Sequence, residues 1–366
     1  MTKVLGVAII GCGWVSDWHV EDGFAKLPEL FEVRACCDLD AKKAQAFASR
    51  HGIDEHKLSY AELLARPEID VVVICTPPGT HYEMVRQALA ADCHVICEKP
   101  FTSSLALTDK LAEFEAASEG RVMPIFQYRY GDGLARVKHI IASGLAGRHF
   151  VTSVETAKRR DADYYAVPWR GKFATELGGV LLTQAIHLHD VASYLLGDAA
   201  EVCCFKTTRV NPIEVEDCAV ASLRMQDGSL ASFTATLGSA RQVTRIRMCF
   251  ERVTFEMQCF DLASMRPAEA EWQVIPMSEE IGAEITAEME SVAPAKPWFA
   301  RQFELFHEAV TKGGPLPVTV ADARRSLELV TAFFASNATG QAVRLPIDNS
   351  NALYYGWIPS PATQEG

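Results

Sequence analysis

The chain has 366 residues, of which 49% are hydrophobic and 22% are charged, and its formal net charge is −12 at pH 7. At about 150 residues per domain this length predicts two domains, and the composition excludes a disordered or collagen-like chain. The excess of acidic residues argues against a nucleic-acid partner, because such binding depends on neutralising phosphates with Lys and Arg.

Eleven cysteines are spread along the chain, mostly inside apolar runs, and no CxxC pair occurs. This usage predicts reduced, buried thiols in a cytoplasmic protein without a metal site. The N-terminal run Val4 to Ile10 leads straight into a glycine turn, which indicates a strand rather than a signal peptide. No apolar stretch approaches the length of about 18 residues needed to cross a bilayer, so we expect no membrane partner.

Up to about residue 124, short apolar runs alternate with amphipathic helical stretches. The runs are continuous, as is typical of strands buried on both faces. They are Val4 to Ile10, Glu32 to Cys37, Val71 to Cys75, His94 to Cys97 and Val122 to Phe126. The helical stretches include Ala41 to Arg50, Tyr60 to Ala65, Tyr82 to Ala91 and Leu105 to Glu119. Strand and helix in series predict a doubly wound parallel α/β sheet.

After about residue 150 apolar and polar residues alternate, which is typical of strands with one exposed face. The predicted strands are Phe150 to Lys158, Val202 to Val210, Cys218 to Met225, Leu230 to Leu237 and Val243 to Phe250. Asp227-Gly228 between two of them is a strong hairpin signal. We therefore expect an antiparallel sheet with helices on one face. The expected covering helices are Gly178 to Leu196, Trp298 to Val310 and Ala321 to Ser336.

Residues 279–297 are acidic and alanine-rich, and they end in proline. We interpret them as a surface loop, either solvated or acting as a lid.

A glycine turn, Gly11-Cys12-Gly13-Trp14-Val15-Ser16, follows the first strand and opens a helix. This is the context of a dinucleotide-binding fingerprint: Gly11 makes the tight turn, and Gly13 lets the backbone approach a pyrophosphate at the helix N-terminus. Ser16 replaces the third glycine and is small enough for the helix to pack closely. The predicted cofactor contacts are Gly11, Cys12, Gly13, Trp14 and Val15.

Asp38 ends the second strand, where a carboxylate is expected to accept the ribose hydroxyls of a dinucleotide. Its charge would repel the extra phosphate of NADP, and no Arg follows it directly. NAD is therefore favoured over NADP, and an ordinary turn residue is the alternative interpretation of Asp38.

Two more strand ends carry motifs at the carboxyl edge, where doubly wound sheets bind ligands: Thr76-Pro77-Pro78-Gly79-Thr80-His81 and Glu98-Lys99-Pro100. A Lys that ends a buried strand is costly unless it is paired or used. Downstream lie Trp169-Arg170-Gly171, and Gly178-Gly179 leading to His187 and Asp190. Together these motifs resemble the glucose-fructose oxidoreductase and inositol dehydrogenase (Gfo/Idh/MocA) family over nearly the whole chain.

The resemblance implies an N-terminal dinucleotide-binding Rossmann domain, residues 1–124. It also implies a C-terminal α+β domain, residues 125–366, with a large, mostly antiparallel open sheet for substrate binding and oligomerisation. Family members often pair through that open face, so we expect a homodimer or homotetramer.

The resemblance also assigns roles to residues of this chain. The Lys of the second motif lies beside the nicotinamide and the substrate hydroxyl in this family, which implies a catalytic role for Lys99. Glu98 is expected to contact the cofactor, and the Lys99–Pro100 bond is expected to be cis. Further cofactor contacts expected by position are Thr76, Pro77, His81, Gln127, Trp169 and Arg170.

The predicted helix after Gly178-Gly179 carries polar residues at steps of four, three and four residues, which share one face. They are Thr183, His187, Asp190 and Tyr194. The resemblance implies that His187 exchanges the proton of the substrate hydroxyl, and a buried structural histidine is the alternative. Asp190 is expected to orient His187 or to cap a network, and His189 to be a surface or core residue.

Thr183 departs from the family pattern, in which many members carry Asp at this position. A threonine can hydrogen-bond a hydroxyl but cannot hold a negative charge. The acid–base assignment between Lys99 and His187 therefore stays open, and Thr183 is kept with them as a catalytic candidate.

Two other segments are candidates for binding substrate. Gln127 and Tyr128 are expected to end a sixth strand of the first domain, facing nicotinamide and substrate. The run Lys158, Arg159, Arg160 is either solvated or provides one residue, Arg159, that reads an acidic or hydroxyl-rich substrate. The expected substrate contacts are Lys99, Tyr128, Arg159, Thr183 and His187.

These residues favour an NAD-dependent oxidoreductase that transfers a hydride between the nicotinamide and a secondary hydroxyl of a sugar, sugar derivative or cyclic polyol. One alternative is redox-assisted glycoside cleavage through a transient keto-sugar, which needs one more base. The other is a non-catalytic sensor of dinucleotide or sugar.

Overall fold

The computed structural model describes residues 3–260 and 270–357. The strands and helices of the first third are β1 (Leu5–Ile10), α1 (Trp14–Glu21), β2 (Phe31–Cys37), α2 (Ala41–His51), α3 (Tyr60–Leu64), β3 (Val71–Ile74), α4 (His81–Ala90), β4 (His94–Cys97), α5 (Leu105–Ala116) and β5 (Val122–Pro124). They are followed by α6 (Asp132–Ala142), β6 (His149–Arg159), α7 (Ala162–Tyr165), α8 (Phe173–Glu176), α9 (Val180–Thr183), α10 (Ile186–Leu196), β7 (Ala199–Thr207), β8 (Cys218–Met225), β9 (Leu230–Thr236) and β10 (Gly238–Phe250). The last elements are β11 (Val253–Cys259), β12 (Trp272–Pro276), α11 (Glu279–Ser291), α12 (Trp298–Lys312), α13 (Val320–Thr339) and β13 (Val343–Arg344).

The chain divides into two compact units. The first contains the residues up to Gln127 together with Trp298–Arg324, and the second contains Tyr128–Pro297 and the residues from Arg325 onwards. The second unit is therefore interrupted in sequence by a segment that packs with the first.

The first unit is built on a parallel five-stranded sheet in the order β2-β1-β3-β4-β5. Every residue of β1 is buried, as the continuous apolar run predicts. The strand order reverses between β1 and β3, and ligands of such sheets bind at the carboxyl ends of the strands beside this reversal. The expected sixth strand is absent from the described residues, where Gln127–Arg129 instead form one 3-10 turn after β5.

Helix α12 packs in the first unit, so our expectation that it covers the second sheet was wrong. Phe299 and Phe303 are fully buried, and Phe303 stacks on Phe24 with ring centroids 4.5 Å apart. The side-chain amide of Gln302 donates to the Pro124 carbonyl at 2.9 Å. The apolar period identified a helix correctly, but periodicity does not say which sheet a helix covers.

The second unit contains an eight-stranded sheet in the order β12-β11-β10-β6-β9-β8-β7-β13. Its strands pair antiparallel except for β6 with β9. Helices α10 and α13 pack on one face, where His189 stacks on Phe233 and contacts Phe333. The opposite face exposes Phe205, Val220 and Leu230. The sequence therefore predicted an open, mostly antiparallel sheet correctly, although it missed the short strands β11, β12 and β13.

Residues 279–297 do not form the loop that we expected, because α11 occupies most of them. Ser278 caps this helix by accepting from the Ile281 amide at 3.3 Å, and Ile285 is fully buried. Ile281, Ile285 and Met289 recur at steps of four residues, which is a helical signal that the sequence reasoning missed.

No disulfide joins any of the eleven cysteines, all of which lie within the described ranges. A search of the described helices for one long and apolar enough to span a bilayer found none.

The packing of α12 yields a stability prediction. We expect Phe303→Ala to lower the stability of the first unit by about 3–5 kcal/mol, because it leaves a cavity between α12 and the Phe24 ring. Chemical denaturation followed by fluorescence measures the change. Phe114→Ala is the matched control, since this ring is 41% exposed, and equal losses in the two variants would contradict the assignment of α12.

Candidate active site

The glycine turn after β1 has the shape that a dinucleotide requires. Gly11 has φ +90°, and a Cβ there would lie 3.0 Å from the backbone of Cys75 and Thr76. Gly13 precedes α1 with no side-chain cap, and a Cβ there would meet no atom within 4 Å. Uncapped amides at the N-terminus of a helix, facing open space, fit a pyrophosphate.

Asp38 lies beside this turn, as expected. One carboxylate oxygen accepts from the Cys12 amide and the other from the Asp40 amide, both at 2.9 Å. Trp14 is exposed and Val15 half-buried. The carboxylate thus braces the glycine turn at the end of β2, where it fits the ribose hydroxyls of NAD.

His81 is fully buried, so the structure does not support the cofactor contact that we expected for it. Its two ring nitrogens each lie 2.8 Å from a carbonyl oxygen, that of Pro100 and that of Thr76. Burial lowers the pKa of His81, whereas the two carbonyls oppose that shift. His81 instead connects the loop after β3 to the loop after β4.

Glu98 is a buried carboxylate that connects two elements of the cofactor edge. It lies 2.8 Å from the ring of His19 on α1 and accepts from the Lys99 amide at 3.0 Å. Burial opposes its ionisation, but the contacts with His19 and Lys99 hold the pKa of Glu98 below its usual value. Glu98 therefore fixes the end of β4 to the helix that begins at the glycine turn.

His19 is a residue that the sequence reasoning missed. The signal was available, because the buried positions of α1 are Ser16, His19 and Val20. A histidine at that spacing lies on the buried face of the helix and needs a polar partner.

The other predicted residues of the first unit lie at the same carboxyl edge. The Lys99–Pro100 bond is cis, as the resemblance implied, and Lys99 is half-buried. Thr76 donates to or accepts from the Thr80 hydroxyl at 2.7 Å. Gln127 is buried, and its side-chain oxygen has no hydrogen-bond partner within residues 3–260 and 270–357. Such an oxygen fits the amide group of a nicotinamide.

The second unit holds His187 against Tyr128. Their rings stack with centroids 4.4 Å apart and an angle of 14° between the planes. His187 is buried, and 9% of its surface is exposed. A histidine that is packed on one side and reachable by a small molecule is suited to exchanging protons.

Thr183 and His187 do not share one helix, which corrects the predicted stripe. Helix α9 ends at Thr183, and α10 begins at Ile186. The Thr183 hydroxyl donates to the Gly179 carbonyl at 2.8 Å. Our four-residue spacing assumed a continuous helix, and the break rotates the two side chains relative to that assumption.

Asp190 is paired with Arg129. The guanidinium binds both carboxylate oxygens, at 2.7 and 2.5 Å, and both side chains are buried. Arg129 follows Tyr128 in sequence, and Asp190 lies about one turn after His187. The ion pair therefore fixes the backbone next to each of the two stacked rings.

Glu216 is a second positioning residue that the sequence reasoning missed. Its carboxylate accepts from the amides of Gly179 and Leu181 at 3.0 and 3.1 Å, and its backbone oxygen accepts from the Val180 amide at 2.8 Å. A Cβ on Gly179 would lie 1.7 Å from that oxygen. Burial raises the pKa of Glu216. Only glycine fits at this turn, which sets where α9 begins.

Three further residues with predicted contacts have partners within the second unit. Arg159 is 68% exposed and lies 3.7 Å from Asp161, which favours the solvated alternative. Arg170 lies over the Trp169 and Tyr164 rings and pairs with Glu176 at 3.2 Å. The cofactor contacts expected for Trp169 and Arg170 stay predictions.

Comparison with known proteins matches both units to family models. Residues 5–126 match the oxidoreductase family with an NAD-binding Rossmann fold, and residues 134–256 match the Gfo/Idh/MocA C-terminal domain. The chain belongs to the Gfo/Idh/MocA family of oxidoreductases. Its first unit is accordingly an NAD-binding Rossmann domain of an oxidoreductase.

Several curated relatives are similar over part of their length. D-glucoside 3-dehydrogenase of Escherichia coli is 32% identical over 53% of this chain and 54% of that protein. Myo-inositol 2-dehydrogenase of Thermotoga maritima is 25% identical over 61% of this chain and 66% of that protein. The chain thus spans about half to two thirds of these relatives. D-apiose dehydrogenase of Rhizobium rhizogenes is 25% identical over 94% of this chain and 98% of that protein.

Solved structures share the fold. The WlbA dehydrogenase of Bordetella pertussis, in complex with NADH and UDP-GlcNAcA, has a TM-score of 0.82 at 23% identity, over 94% of this chain and all of that one. Levoglucosan dehydrogenase, in complex with NADH and levoglucosan, has a TM-score of 0.79 at 21% identity and the same coverage.

Because a Cβ at Gly13 would meet no protein atom within 4 Å, a substitution there tests cofactor binding separately from folding. We expect Gly13→Ala to weaken NADH binding at least about tenfold, since the added methyl group would fill space that the pyrophosphate needs. Its unfolding temperature should stay near that of the wild type. Gly11→Ala, the matched variant at positive φ, should lose both affinity and stability. Fluorescence titration with NADH and thermal unfolding test both, and an unchanged affinity of Gly13→Ala would contradict the site.

The Arg129–Asp190 pair gives a second prediction. Asp190→Ala leaves a buried guanidinium uncompensated, so we expect a loss of about 3–5 kcal/mol in the stability of the second unit. Asp161→Ala removes an exposed ion pair and should change little. Denaturant unfolding compares the two variants, and a small effect of Asp190→Ala would show that the pair is not needed to hold this region.

Proposed function

We propose that the protein is an NAD-dependent dehydrogenase or reductase that acts on a secondary hydroxyl of a sugar, sugar derivative or cyclic polyol. The observation that carries the proposal is the Glu98 contact, which fixes Lys99 to the same helix that begins at the glycine turn. A titratable amine is thus held at the cofactor edge, where the reacting hydroxyl would be expected.

The proposed chemistry needs a proton acceptor and a hydride acceptor. The glycine turn and Asp38 would hold NAD, which would supply the hydride acceptor. Lys99 or His187 takes the hydroxyl proton, so that the alcohol becomes a ketone, and returns it in the reverse direction. Tyr128 holds the His187 ring, and Thr183 offers a hydroxyl but no charge. The protein contributes orientation and a positioned base.

The substrate class is inferred from the relatives. D-glucoside 3-dehydrogenase, myo-inositol 2-dehydrogenase and D-apiose dehydrogenase are named for sugar or cyclic polyol hydroxyls, and the structurally similar proteins were crystallised with levoglucosan or UDP-GlcNAcA. A panel of sugars, glycosides, uronates and inositols therefore covers the expected range.

We further propose that NAD is preferred over NADP, because Asp38 presents a carboxylate where the extra phosphate of NADP would lie. We also propose that the protein is a homodimer or homotetramer in the cytoplasm. The assembly is supported by the uncovered sheet face, on which Phe205 is 74% exposed and Val220 is 54% exposed.

Removing either candidate base should separate turnover from cofactor binding. We expect Lys99→Met and His187→Asn each to reduce turnover by about 10²- to 10⁴-fold and to leave NADH affinity within a few-fold of the wild type. Lys172→Met, at an exposed position of the second unit, is the control. Absorbance of the reduced cofactor measures turnover, and fluorescence titration measures affinity.

Two results would contradict the proposal. NADH binding without turnover on any member of the panel would favour a sensor. Cleavage of a glycoside without net reduction of the cofactor would favour redox-assisted glycoside cleavage.

A further inference from the structure

The three consecutive cations at the end of β6, Lys158, Arg159 and Arg160, lie in different environments. Lys158 is 4% exposed, and its ammonium donates to the Thr244 hydroxyl at 3.0 Å. Arg159 points to solvent, whereas Arg160 is half-buried. Lys158 and Arg159 are the last two residues of β6 and point to opposite faces of the sheet, and Arg160 directly follows the strand.

Arg160 has no carboxylate partner within the described ranges of the chain. Its guanidinium donates to the Gln184 side-chain oxygen at 3.1 Å and to the Arg159 carbonyl at 2.8 Å, and it lies 4.9 Å from the centre of the Tyr164 ring. Its Nε is buried and finds no hydrogen-bond partner among the same residues. All of these contacts are with neutral groups, so the charge of Arg160 is not compensated by them.

The neighbours of Arg160 form a hydrogen-bonded network in the second unit. The Tyr164 hydroxyl accepts from Arg170 and from Gln184, the latter at 3.3 Å. Glu176, which belongs to this network, is already bound to Arg170 and to the Gly171 amide.

The position of Gln184 connects this network to the candidate catalytic residues. Gln184 directly follows Thr183, in the break between α9 and α10, and lies about one helical turn before His187. A group bound at the Arg160 guanidinium would therefore lie next to the segment that carries both Thr183 and His187.

A half-buried guanidinium without a counter-ion is costly, and an arginine binds a carboxylate through two parallel hydrogen bonds. We infer that Arg160, with Lys158 beside it, binds a carboxylate carried by the substrate, so that the preferred substrate is a sugar acid rather than a neutral sugar. This inference rests on the proposed function, because it names the substrate class of the same site.

Burial, and after it the charge of Arg160, lowers the pKa of Lys158 to about 7. A carboxylate bound beside the two cations would oppose the second of these effects and raise the pKa of Lys158.

Calorimetric titration of the NADH-loaded protein tests the inference with two matched ligand pairs: D-glucuronate with D-glucose, and D-galacturonate with D-galactose. The partners of each pair differ in a carboxylate against a hydroxymethyl group. We expect the wild type to bind at least one uronate about tenfold or more tightly than its neutral partner. Arg160→Gln should abolish that preference, and Arg160→Lys should retain part of it.

Arg159→Gln is the matched control, since it removes the neighbouring charge from the solvent side and should leave the preference intact. NADH affinity and unfolding temperature should be unchanged in Arg160→Gln, which excludes a loss of fold as the cause.

The inference is overturned if neither uronate binds more tightly than its neutral partner, or if Arg160→Gln keeps the preference. These outcomes differ from failure of the proposed function. Oxidation of neutral sugars alone, abolished by Lys99→Met, would overturn the carboxylate subsite and leave the dehydrogenase standing. Uronate binding that depends on Arg160 without hydride transfer to or from any ligand would do the reverse.

Discussion

The arrangement of the first unit depends on one buried carboxylate. Glu98 directly follows β4 and is buried, so its anion depends on the hydrogen bonds with His19 and the Lys99 amide. That requirement fixes α1 against the end of β4. Since α1 begins at the glycine turn and Lys99 follows Glu98, the cofactor loop and the candidate base are parts of one edge.

The second unit also contains a buried carboxylate whose charge must be compensated. Asp190 and Arg129 neutralise each other in the interior, where a bidentate contact also fixes direction. Buried ion pairs contribute little net stability compared with apolar packing, so their value lies in geometry. Here the geometry positions Tyr128, which directly precedes Arg129, and His187, which lies about one helical turn before Asp190. Glu216 acts similarly on backbone amides at the start of α9.

The sequence predicted well what depends on neighbouring residues and poorly what depends on distant ones. Gly11, Asp38 and Lys99 could be placed at one edge from the sequence, because the carboxyl ends of parallel strands meet there. The bond between His19 and Glu98 spans 79 positions, and that between Gly179 and Glu216 spans 37. No local pattern encodes such a pairing. Two further features also depend on distant residues. They are the break at Gln184, which separates Thr183 from His187, and the packing of α12 in the first unit.

The run from Lys158 to Arg160 shows where a stricter use of the sequence would have succeeded. Three consecutive cations in an acidic chain look like a solvated patch when they are counted together. The strand period separates them, because every second residue of a strand shares a face. Within β6 that rule places Lys158 with the buried Val154 and Thr156 and leaves Arg159 outside, whereas Arg160 follows the strand. A net charge of −12 therefore says nothing about the local potential, which is set by which few cations the fold buries and whether an anion is folded in beside them.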